Sequence, residues 1–314
     1  MPVADPVALT VLALPDLDAA DRTALVELVA AVEQSGDGHP PLPEPQLRAV
    51  TGNGEGDAVA RVVLARSGGR LVAAAILSPA HDGSTVVHTM GPVSSGPDGD
   101  AIRTSLLELA VAEAPARAPI HLWAMEASPV DDARSAALGF APERDLLQMR
   151  VPLPLPDDVI AATRPLVTRP FVRGQDEETW VAANNRAFAG HPEQGGWTVG
   201  QLRERMQAEW VELDGFLLAD DPEGAGLVGS CWTKIHRDRT PVLGEIYVIS
   251  VDPRHHGQGW GRSLTVAGLQ WIASRGIAVG MLYTDADNEA AVALYRSLGF
   301  DVDHVDRSYR RPAR

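Results

Sequence analysis

Hydrophobic positions in the second half of the chain follow two periods, one typical of strands and one typical of helices. Runs of apolar, aromatic and β-branched residues predict strands at 216–219, 227–234, 245–251, 279–284 and 302–309. Apolar residues at helical spacing predict helices at 180–188, 198–210, 263–274 and 288–298. This order of strands and helices predicts an α+β protein, with layers of sheet and helix.

Three features of the first half return in the second half in the same order. The Leu-Gly-Phe sequence that ends at Phe140 and a glycine loop around Gly99 both recur 160 residues later. The apolar run 71–77 recurs 156 residues later. Three matches at nearly one offset predict a duplicated domain.

A proline-rich stretch, Val151-Pro-Leu-Pro-Leu-Pro156, separates the two copies. Proline cannot donate to a strand ladder and holds the chain extended, which is typical of a linker. The length of 314 residues also suits two domains. We therefore expect an N-terminal domain at 1–150, a linker at 151–164 and a C-terminal domain at 165–314.

Composition excludes several classes of protein. The net charge is −15, so the surface repels the phosphates of nucleic acids. The longest apolar run, 71–77, is too short to cross a bilayer, and the acidic N-terminus lacks the basic region of a secretory signal. Cys231 is the single cysteine, and the neighbouring His255 and His256 have no supporting carboxylate spacing. We expect a cytoplasmic protein without nucleic acid, membrane or metal partners.

The residues from Glu245 to Arg262 carry the strongest chemical signal. A predicted strand runs into a loop with glycine at 257, 259 and 261, and the loop opens a helix. Backbone N–H groups at a helix N-terminus form a cradle for anions such as phosphate. A dinucleotide-binding fold would place an acidic residue about 20 positions further on, where this chain has Met281. A P-loop would require Gly-Lys-Ser/Thr, which is also missing here.

The loop resembles the pyrophosphate loop of the GNAT N-acetyltransferase superfamily, Arg/Gln-x-x-Gly-x-Gly/Ala. The segment His256–Gly261 fits this pattern from its fourth position on, with His256 where Arg or Gln is usual. Asn288, Tyr295 and the Leu-Gly-Phe that ends at Phe300 resemble the downstream signature of the same superfamily. The resemblance implies acetyl-CoA as cosubstrate. It also implies two tandem GNAT domains, each with a mixed, mostly antiparallel sheet flanked by helices.

Four further segments resemble the mycothiol synthases of actinobacteria, a family of tandem-domain GNAT enzymes. They are His191–Trp197, Trp232–Lys234, Gly244–Val248 and Leu282–Asn288. The resemblance is close over the second domain and holds only in outline over the first. It implies a monomeric enzyme that acetylates the cysteinyl α-amine of a cysteinyl-glucosaminyl-inositol, a small amino-sugar thiol, in the last step of mycothiol biosynthesis.

The same resemblance assigns residues to roles. Glu245 would be the general base and Tyr295 the general acid. Substrate would be bound in a cleft between the domains by Glu44, Glu193, Lys234, Glu245 and Tyr283. The cosubstrate would be bound by Ile249, Ser250, Val251, His256, Gly257, Gln258, Gly259, Trp260, Gly261, Arg262, Asn288, Glu289, Ala290, Ala291, Val292 and Ala293.

Elementary chemistry agrees with these residue types. An α-amine has a pKa of about 7.7–8.0, so a carboxylate is needed to remove its proton, and a tyrosine hydroxyl can donate to the departing thiolate. Structural roles stay open as alternatives. Glu245 and Lys234 can be charges at strand ends, Tyr295 a core residue, and Glu44 a solvated loop carboxylate.

The glycine loop of the first domain departs from the pattern. Asp98 and Asp100 repel phosphate there, and Pro97 removes one N–H donor. We therefore expect a scaffold domain that no longer transfers acetyl groups. Two other functions remain as alternatives. One is a two-domain GNAT enzyme that acts on another amine, such as an aminoglycoside or a protein N-terminus, and the other is a non-catalytic acyl-CoA sensor.

Overall fold

A computed structural model describes residues 7–35, 42, 44–51, 60–80, 82–91, 97–189, 195–222, 224, 226–237 and 240–313. The chain forms two compact units. Unit 1 comprises Met1–Leu146 together with His304–Arg314, and unit 2 comprises Leu147–Asp303. The division differs from the expected one, because the C-terminal segment belongs to unit 1 and the segment expected as a linker belongs to unit 2.

Unit 1 is a mixed sheet with helices. Its elements are β1 (Val7–Ala13), α1 (Ala19–Ser35), α2 (Glu44–Thr51), β2 (Arg61–Ser67), β3 (Arg70–Pro79), β4 (Thr85–Met90), α3 (Pro97–Glu113), β5 (Ile120–Ala124), α4 (Pro129–Ala137), the first residues of β6 (Ala141–Pro152) and most of β12 (Asp301–Arg311). The sheet order is β1-β2-β3-β4-β5-β12. Only the β4–β5 pair is parallel, and the other pairs are antiparallel.

Unit 2 repeats this topology. Its further elements are α5 (Asp157–Ala161), β7 (Arg169–Pro170), α6 (Glu177–Ala187), α7 (Val199–Arg205), β8 (Phe216–Asp220), β9 (Leu227–His236), β10 (Leu243–Val251), α8 (Trp260–Ser274), β11 (Val279–Asp285) and α9 (Glu289–Ser297). The sheet order is β6-β11-β10-β9-β8-β7, with β10 and β11 parallel and the pairs from β7 to β10 antiparallel. The predicted α+β class and the predicted duplication are both confirmed.

The C-terminal strand belongs to unit 1 because β12 pairs with β5, from Arg307 opposite Ala124 onward. The Arg307 guanidinium donates to the carboxylates of Asp132 and Asp145 at 2.6–3.0 Å. The fully buried Tyr309 donates its hydroxyl proton to Asp132 at 2.7 Å. These contacts join residues that are up to 177 positions apart in the sequence.

The segment expected as a linker, 151–164, packs into unit 2. Val151 lies in β6, and the Leu153 N–H donates to the Ala278 carbonyl at 2.8 Å. Val151, Leu153 and Leu155 alternate with prolines and are buried in the core of the unit. The prolines thus keep this segment extended while its apolar side chains pack inward.

The sheet of unit 2 has two different faces. On the α8 face the helix packs closely through Gly268, where a Cβ atom would lie 2.5 Å from the Cys231 sulfur. The aromatic face carries a buried cluster in which Trp232 stacks on Phe216 and meets Trp180 edge-on. None of the described helices is long and apolar enough to cross a membrane.

Candidate active site

The strands β10 and β11 pair only over a short length and then part. Their register ends with Glu245 opposite Met281, whereas β10 continues to Val251 in register with β9. A bulge at Tyr247 interrupts the β9 register at this point. A gap therefore opens between β10 and β11 just beyond Glu245.

The backbone of β10 presents polar groups to this gap. The Asp252 N–H donates to the Val228 carbonyl of β9 at 2.9 Å. Backbone groups of successive strand residues point to alternate edges, so those of Ser250 also face β9 and those of Ile249 and Val251 face the gap. Ile249 and Val251 thus direct backbone groups to the gap, whereas the Ser250 backbone is directed to the sheet. The Ser250 hydroxyl is also occupied, 3.1 Å from that of Ser230.

The glycine loop follows β10 and leads into α8. Gly257 and Gly259 have φ values of +73° and +85°, which side-chain-bearing residues rarely adopt. A Cβ at either position would meet no atom within 4 Å, so backbone conformation is the reason for both glycines. Gly259 is the N-cap of α8, and no described side chain caps this helix. Its first N–H groups are therefore available to an anion.

The conformation of the loop corrects the alignment of the motif. The same six-residue pattern also begins at Arg254, with Gly257 and Gly259 at its fourth and sixth positions. These are the two glycines with left-handed φ immediately before the helix. His256 is thus an interior position of the motif rather than its first. Its ring donates to the Val251 carbonyl at 3.1 Å.

Asp252 anchors the start of the loop. Its buried carboxylate accepts from the Arg186 guanidinium of α6 at 2.7–2.9 Å and from the Arg254 side chain at 2.9–3.1 Å. It also accepts from the Arg254 N–H at 3.0 Å. Arg254 first and Arg186 second hold the pKa of Asp252 far below its usual range. Two half-exposed cations are thus fixed beside the glycine loop.

Trp260 and Arg262, in the first turn of α8, make contacts that the sequence did not indicate. The Arg262 guanidinium donates to Thr163 at 3.0 Å and to the Ser297 hydroxyl at 2.8 Å, so its side chain connects α8 to neighbouring elements of the unit. Arg164 lies over the Trp260 ring, 3.7 Å from its centroid. Arg262 can therefore contribute its backbone N–H to an anion, while its side chain serves the fold.

Glu245 lies on the aromatic face, at the start of the gap. Its side chain is 9% exposed, and its Oε2 is 2.8 Å from Nε2 of His236, which is 5% exposed. Lys234 lies directly opposite Glu245 in the β9–β10 register, and His236 follows two residues later on the same face. A carboxylate, an imidazole and an ammonium group are thus brought to one end of two neighbouring strands.

Aromatic side chains surround the Lys234 ammonium group. Its Nζ lies 5.1 Å from the Trp210 ring centroid and 5.9 Å from that of Tyr247. Trp210 also contacts Trp232 and Tyr247, at centroid distances of 5.6 and 4.9 Å. The predicted helix 198–210 ends at Arg205, which lets Trp210 pack against this face instead.

Tyr283 shares the face of Glu245, because it lies two residues beyond Met281 on β11. Its hydroxyl oxygen accepts from Nε2 of the buried Gln148 at 2.7 Å, and Gln148 in turn accepts from Arg150 at 2.7 Å. This chain of donors orients the hydroxyl so that its own proton is directed to another acceptor.

Tyr295 lies on the α8 face. It is buried in the core cluster that also contains Cys231 and Ile249, and its ring lies 5.7 Å from that of Phe300. Burial, and to a smaller degree the neighbouring Cys231 thiol, raises the pKa of Tyr295 to about 12. No described residue forms a hydrogen bond with its hydroxyl group. The phenol therefore stays protonated at neutral pH and retains a proton to donate.

The remaining predicted residues are distributed as follows. Asn288 caps α9 and accepts from the Ala291 N–H at 3.2 Å. Along that helix Val292 is buried, whereas Glu289, Ala290 and Ala293 are exposed. The backbone of Glu44 begins α2 in unit 1, but its side chain lies outside the described part of the chain, as does all of Glu193.

Unit 1 has a different composition at the matching strand positions. The 156-residue offset that relates β3 to β9 places Ser78 at the position of Lys234. In unit 1 the register partner of Ser78 is Val86, whereas in unit 2 the register partner of Lys234 is Glu245. Asp100, in the first turn of α3, forms an ion pair with Arg134 at 2.9 Å. No group of three or more metal-ligating side chains occurs among the described residues of the chain.

Sequence reasoning missed four contributors to this region: His236, Arg186, Asp252 and Arg254. For His236 a signal existed, since alternation along β9 places it on the face of Lys234. Arg186 and Asp252 lie 66 residues apart, and no local pattern connects them.

Comparison with known proteins places these features in a family. Residues 167–300 match the family described as Acetyltransferase (GNAT) family. The mycothiol acetyltransferase of Kocuria rhizophila is 38% identical over 294 residues, which cover 90% of this chain and 95% of that protein. The mycothiol acetyltransferase of Thermobispora bispora is 40% identical over 297 residues, covering 93% and 96%.

Solved structures show the same fold. A GCN5-related N-acetyltransferase from Sphaerobacter thermophilus has a TM-score of 0.67 and 24% identity, covering 98% of this chain and 96% of that one. A tandem GNAT protein from the clavulanic acid biosynthesis pathway has a TM-score of 0.66 and 18% identity, covering 98% and 99%. The predicted tandem GNAT architecture is confirmed.

Proposed function

The chain belongs to the mycothiol acetyltransferase family and is an acetyl-CoA-dependent N-acetyltransferase. From that premise we propose that it acetylates the cysteinyl α-amine of a cysteinyl-glucosaminyl-inositol, the last step of mycothiol biosynthesis. The observation that carries the proposal is the position of Glu245, a buried carboxylate at the point where β10 and β11 part, with the glycine loop following the same strand.

The gap and the glycine loop are proposed to hold acetyl-CoA. The uncapped N–H groups at the start of α8 suit the pyrophosphate, and the left-handed glycines keep side chains away from it. Arg186 and Arg254, fixed by Asp252, supply positive charge next to the loop in a chain whose net charge is −15. The gap-facing backbone groups of Ile249 and the N–H of Val251 would bind the pantetheine arm and thioester, since the Val251 carbonyl already accepts from His256.

The proposed reaction is direct transfer. Glu245 takes a proton from the substrate ammonium group, and the neutral amine attacks the thioester carbonyl carbon. The C–N bond forms as the carbonyl π electrons move to oxygen, and the gap-facing N–H of Ile249 is placed to donate to that oxyanion. The carbonyl reforms as the C–S bond breaks, the electron pair of that bond goes to sulfur, and Tyr295 donates a proton to the leaving thiolate. The attacking nitrogen gives up its second proton to solvent water as the amide forms, and proton exchange with solvent returns Glu245 to the carboxylate and Tyr295 to the phenol.

The two proposed catalytic side chains lie on opposite faces of the sheet, Glu245 on the aromatic face and Tyr295 in the core cluster of the α8 face. An amine reaching the thioester from the aromatic face would meet Glu245, while the sulfur would lie toward Tyr295. Lys234 and Tyr283 on the aromatic face offer donors to sugar or inositol hydroxyl groups. We further propose that unit 1 carries no transfer activity, since Val86 occupies the position that corresponds to Glu245.

The proposal is tested by measuring thiol release from acetyl-CoA with the purified full chain. The cysteinyl-glucosaminyl-inositol conjugate is compared with free cysteine and with glucosamine. Turnover with the conjugate at a kcat/KM at least a hundredfold above either fragment is expected. Equal turnover of free cysteine, or turnover only with another class of amine, would contradict the proposed acceptor.

A further inference from the structure

We propose that His236 is a positioning residue for Glu245, an inference that rests on the proposed acetyl transfer. The two side chains come from neighbouring strands and meet at 2.8 Å, His236 Nε2 to Glu245 Oε2. Both are almost fully buried, with 5% and 9% of the side chain exposed. The contact is therefore part of the interior of unit 2 rather than a solvent-screened surface pair.

The register explains why this contact forms. Lys234 is directly opposite Glu245, and His236 is opposite Leu243 at the next position on the same face. A glutamate reaching diagonally along the strands meets the imidazole ring before it meets solvent. The contact uses one carboxylate oxygen, Oε2, and thereby fixes the plane of the carboxylate and the direction of Oε1.

Fixing that direction has a kinetic consequence. A glutamate side chain has three rotatable bonds, and a general base transfers a proton efficiently only within hydrogen-bond reach of the amine. Misplacement by about 1 Å can cost about a hundredfold in rate. The His236 contact selects one carboxylate orientation before the substrate arrives.

The direction of the hydrogen bond follows from the chemistry of the two groups. A carboxylate oxygen can only accept, so the Nε2–H of His236 donates to Oε2 of the Glu245 carboxylate. Glu245 therefore remains an acceptor. In the reaction the ammonium N–H bond breaks and an O–H bond forms at Oε1, while His236 keeps its proton throughout.

Three variants at position 236 of the full chain test this role under saturating acetyl-CoA. In His236→Gln the amide nitrogen can take the place of Nε2, so kcat is expected within about threefold of wild type. His236→Phe and His236→Asn lose the Nε2 donor to Oε2, and a fall in kcat of about 10- to 100-fold is expected. The KM for acetyl-CoA should change less than twofold, because the glycine loop is untouched.

The matched control is His121→Phe. His121 forms a histidine–glutamate contact of the same length in unit 1, with Nδ1 2.8 Å from Oε2 of Glu143, at a more exposed position and without any proposed catalytic partner. Its kcat should equal that of wild type. If His236→Phe does not fold, His236→Asn carries the same prediction with a polar side chain.

Rescue by the amide separates positioning from general destabilisation. We expect His236→Gln to restore the kcat that His236→Phe loses, while the KM for acetyl-CoA and the midpoint of thermal unfolding stay the same in both variants. A loss of kcat that follows the unfolding midpoint across the variants would instead indicate a structural role.

Wild-type kcat in both His236→Phe and His236→Asn, alongside a slow Glu245→Gln, would overturn the role of His236 and leave the proposed reaction intact. A His236→Gln variant as slow as His236→Phe would also overturn it, since the imidazole itself would then be required. Full activity of Glu245→Gln would remove the base and the positioning role together. The assay uses whichever amine the wild type acetylates, so an error in the proposed acceptor does not affect this result.

Discussion

Asp252 connects the core of unit 2 to the glycine loop, and Asp252→Asn is expected to weaken both the fold and cosubstrate binding. The carboxylate is fully buried, whereas the Arg186 and Arg254 guanidiniums are 47% and 50% exposed. Hydrogen bonds to charged groups are worth about 1.5–3 kcal/mol, but half-exposed cations reduce each pair to about 1 kcal/mol. An asparagine amide oxygen can still accept from the Arg254 N–H, so the two weakened ion pairs account for the effect, and we expect a fall of about 2 kcal/mol in the free energy of unfolding at pH 7.

Urea unfolding followed by tryptophan fluorescence suits this measurement. Six of the seven tryptophans lie in unit 2, so the signal reports the unit that carries Asp252. The control is Asp214→Asn, which removes a half-exposed partner of Arg275 and should cost less than about 1 kcal/mol. In the same preparations the KM for acetyl-CoA should rise about tenfold for Asp252→Asn, about 1.4 kcal/mol of binding, and stay unchanged for the control.

The pH dependence of the difference in unfolding free energy provides the result that can refute this explanation. The pKa of Asp252 is lowered in the folded state by its two arginines, so its stabilisation is present above the unfolded value and is lost only as pH falls through the folded value. The difference in the free energy of unfolding between wild type and Asp252→Asn should therefore be constant from about pH 8 to about pH 5. A difference that disappears between pH 7 and pH 5, or is no larger than for Asp214→Asn, would refute the reasoning.

Three further changes have separate outcomes. Gly259→Ala forces an alanine to φ +85° and should cost about 1–2 kcal/mol in unfolding free energy and raise the KM for acetyl-CoA; an unchanged KM would argue against the proposed cradle. Tyr295→Phe should lower kcat about a hundredfold with little change in stability, and the raised pKa of about 12 predicts that wild type loses no activity through this group up to about pH 10. Wild-type kcat in Tyr295→Phe would exclude it as the acid. Arg307→Ala removes the ion pairs with Asp132 and Asp145 and should destabilise unit 1 by about 2 kcal/mol without changing kcat; a catalytic defect at full folding would contradict a purely structural role.

Much of unit 2 was predictable because its signals are local. The apolar patterns of 227–234 and 279–284 fall within the observed β9 and β11, and the glycine loop precedes α8 as expected. Lys234 and Glu245, which the resemblance assigns to the substrate site together, are direct register partners in β9 and β10. Periodicity and capping act over a few residues and leave a direct trace in the sequence.

The features that were missed depend on distant pairing. The strand predicted at 302–309 exists, but its partner β5 lies about 180 residues earlier, and no pattern in either strand specifies that choice. Proline spacing at 151–156 suggested a linker, although the intervening apolar residues are buried in unit 2. The glycine pattern admitted two alignments, and only the left-handed φ values of Gly257 and Gly259 distinguish them.

The central claim is that a carboxylate in unit 2 activates the acceptor amine. The most direct test is the kcat of Glu245→Gln, which keeps the shape of the side chain and removes its basicity, together with the Kd for acetyl-CoA from titration calorimetry. We predict a fall in kcat of at least about a hundredfold with an unchanged Kd. A kcat equal to that of wild type at the same Kd would contradict the account.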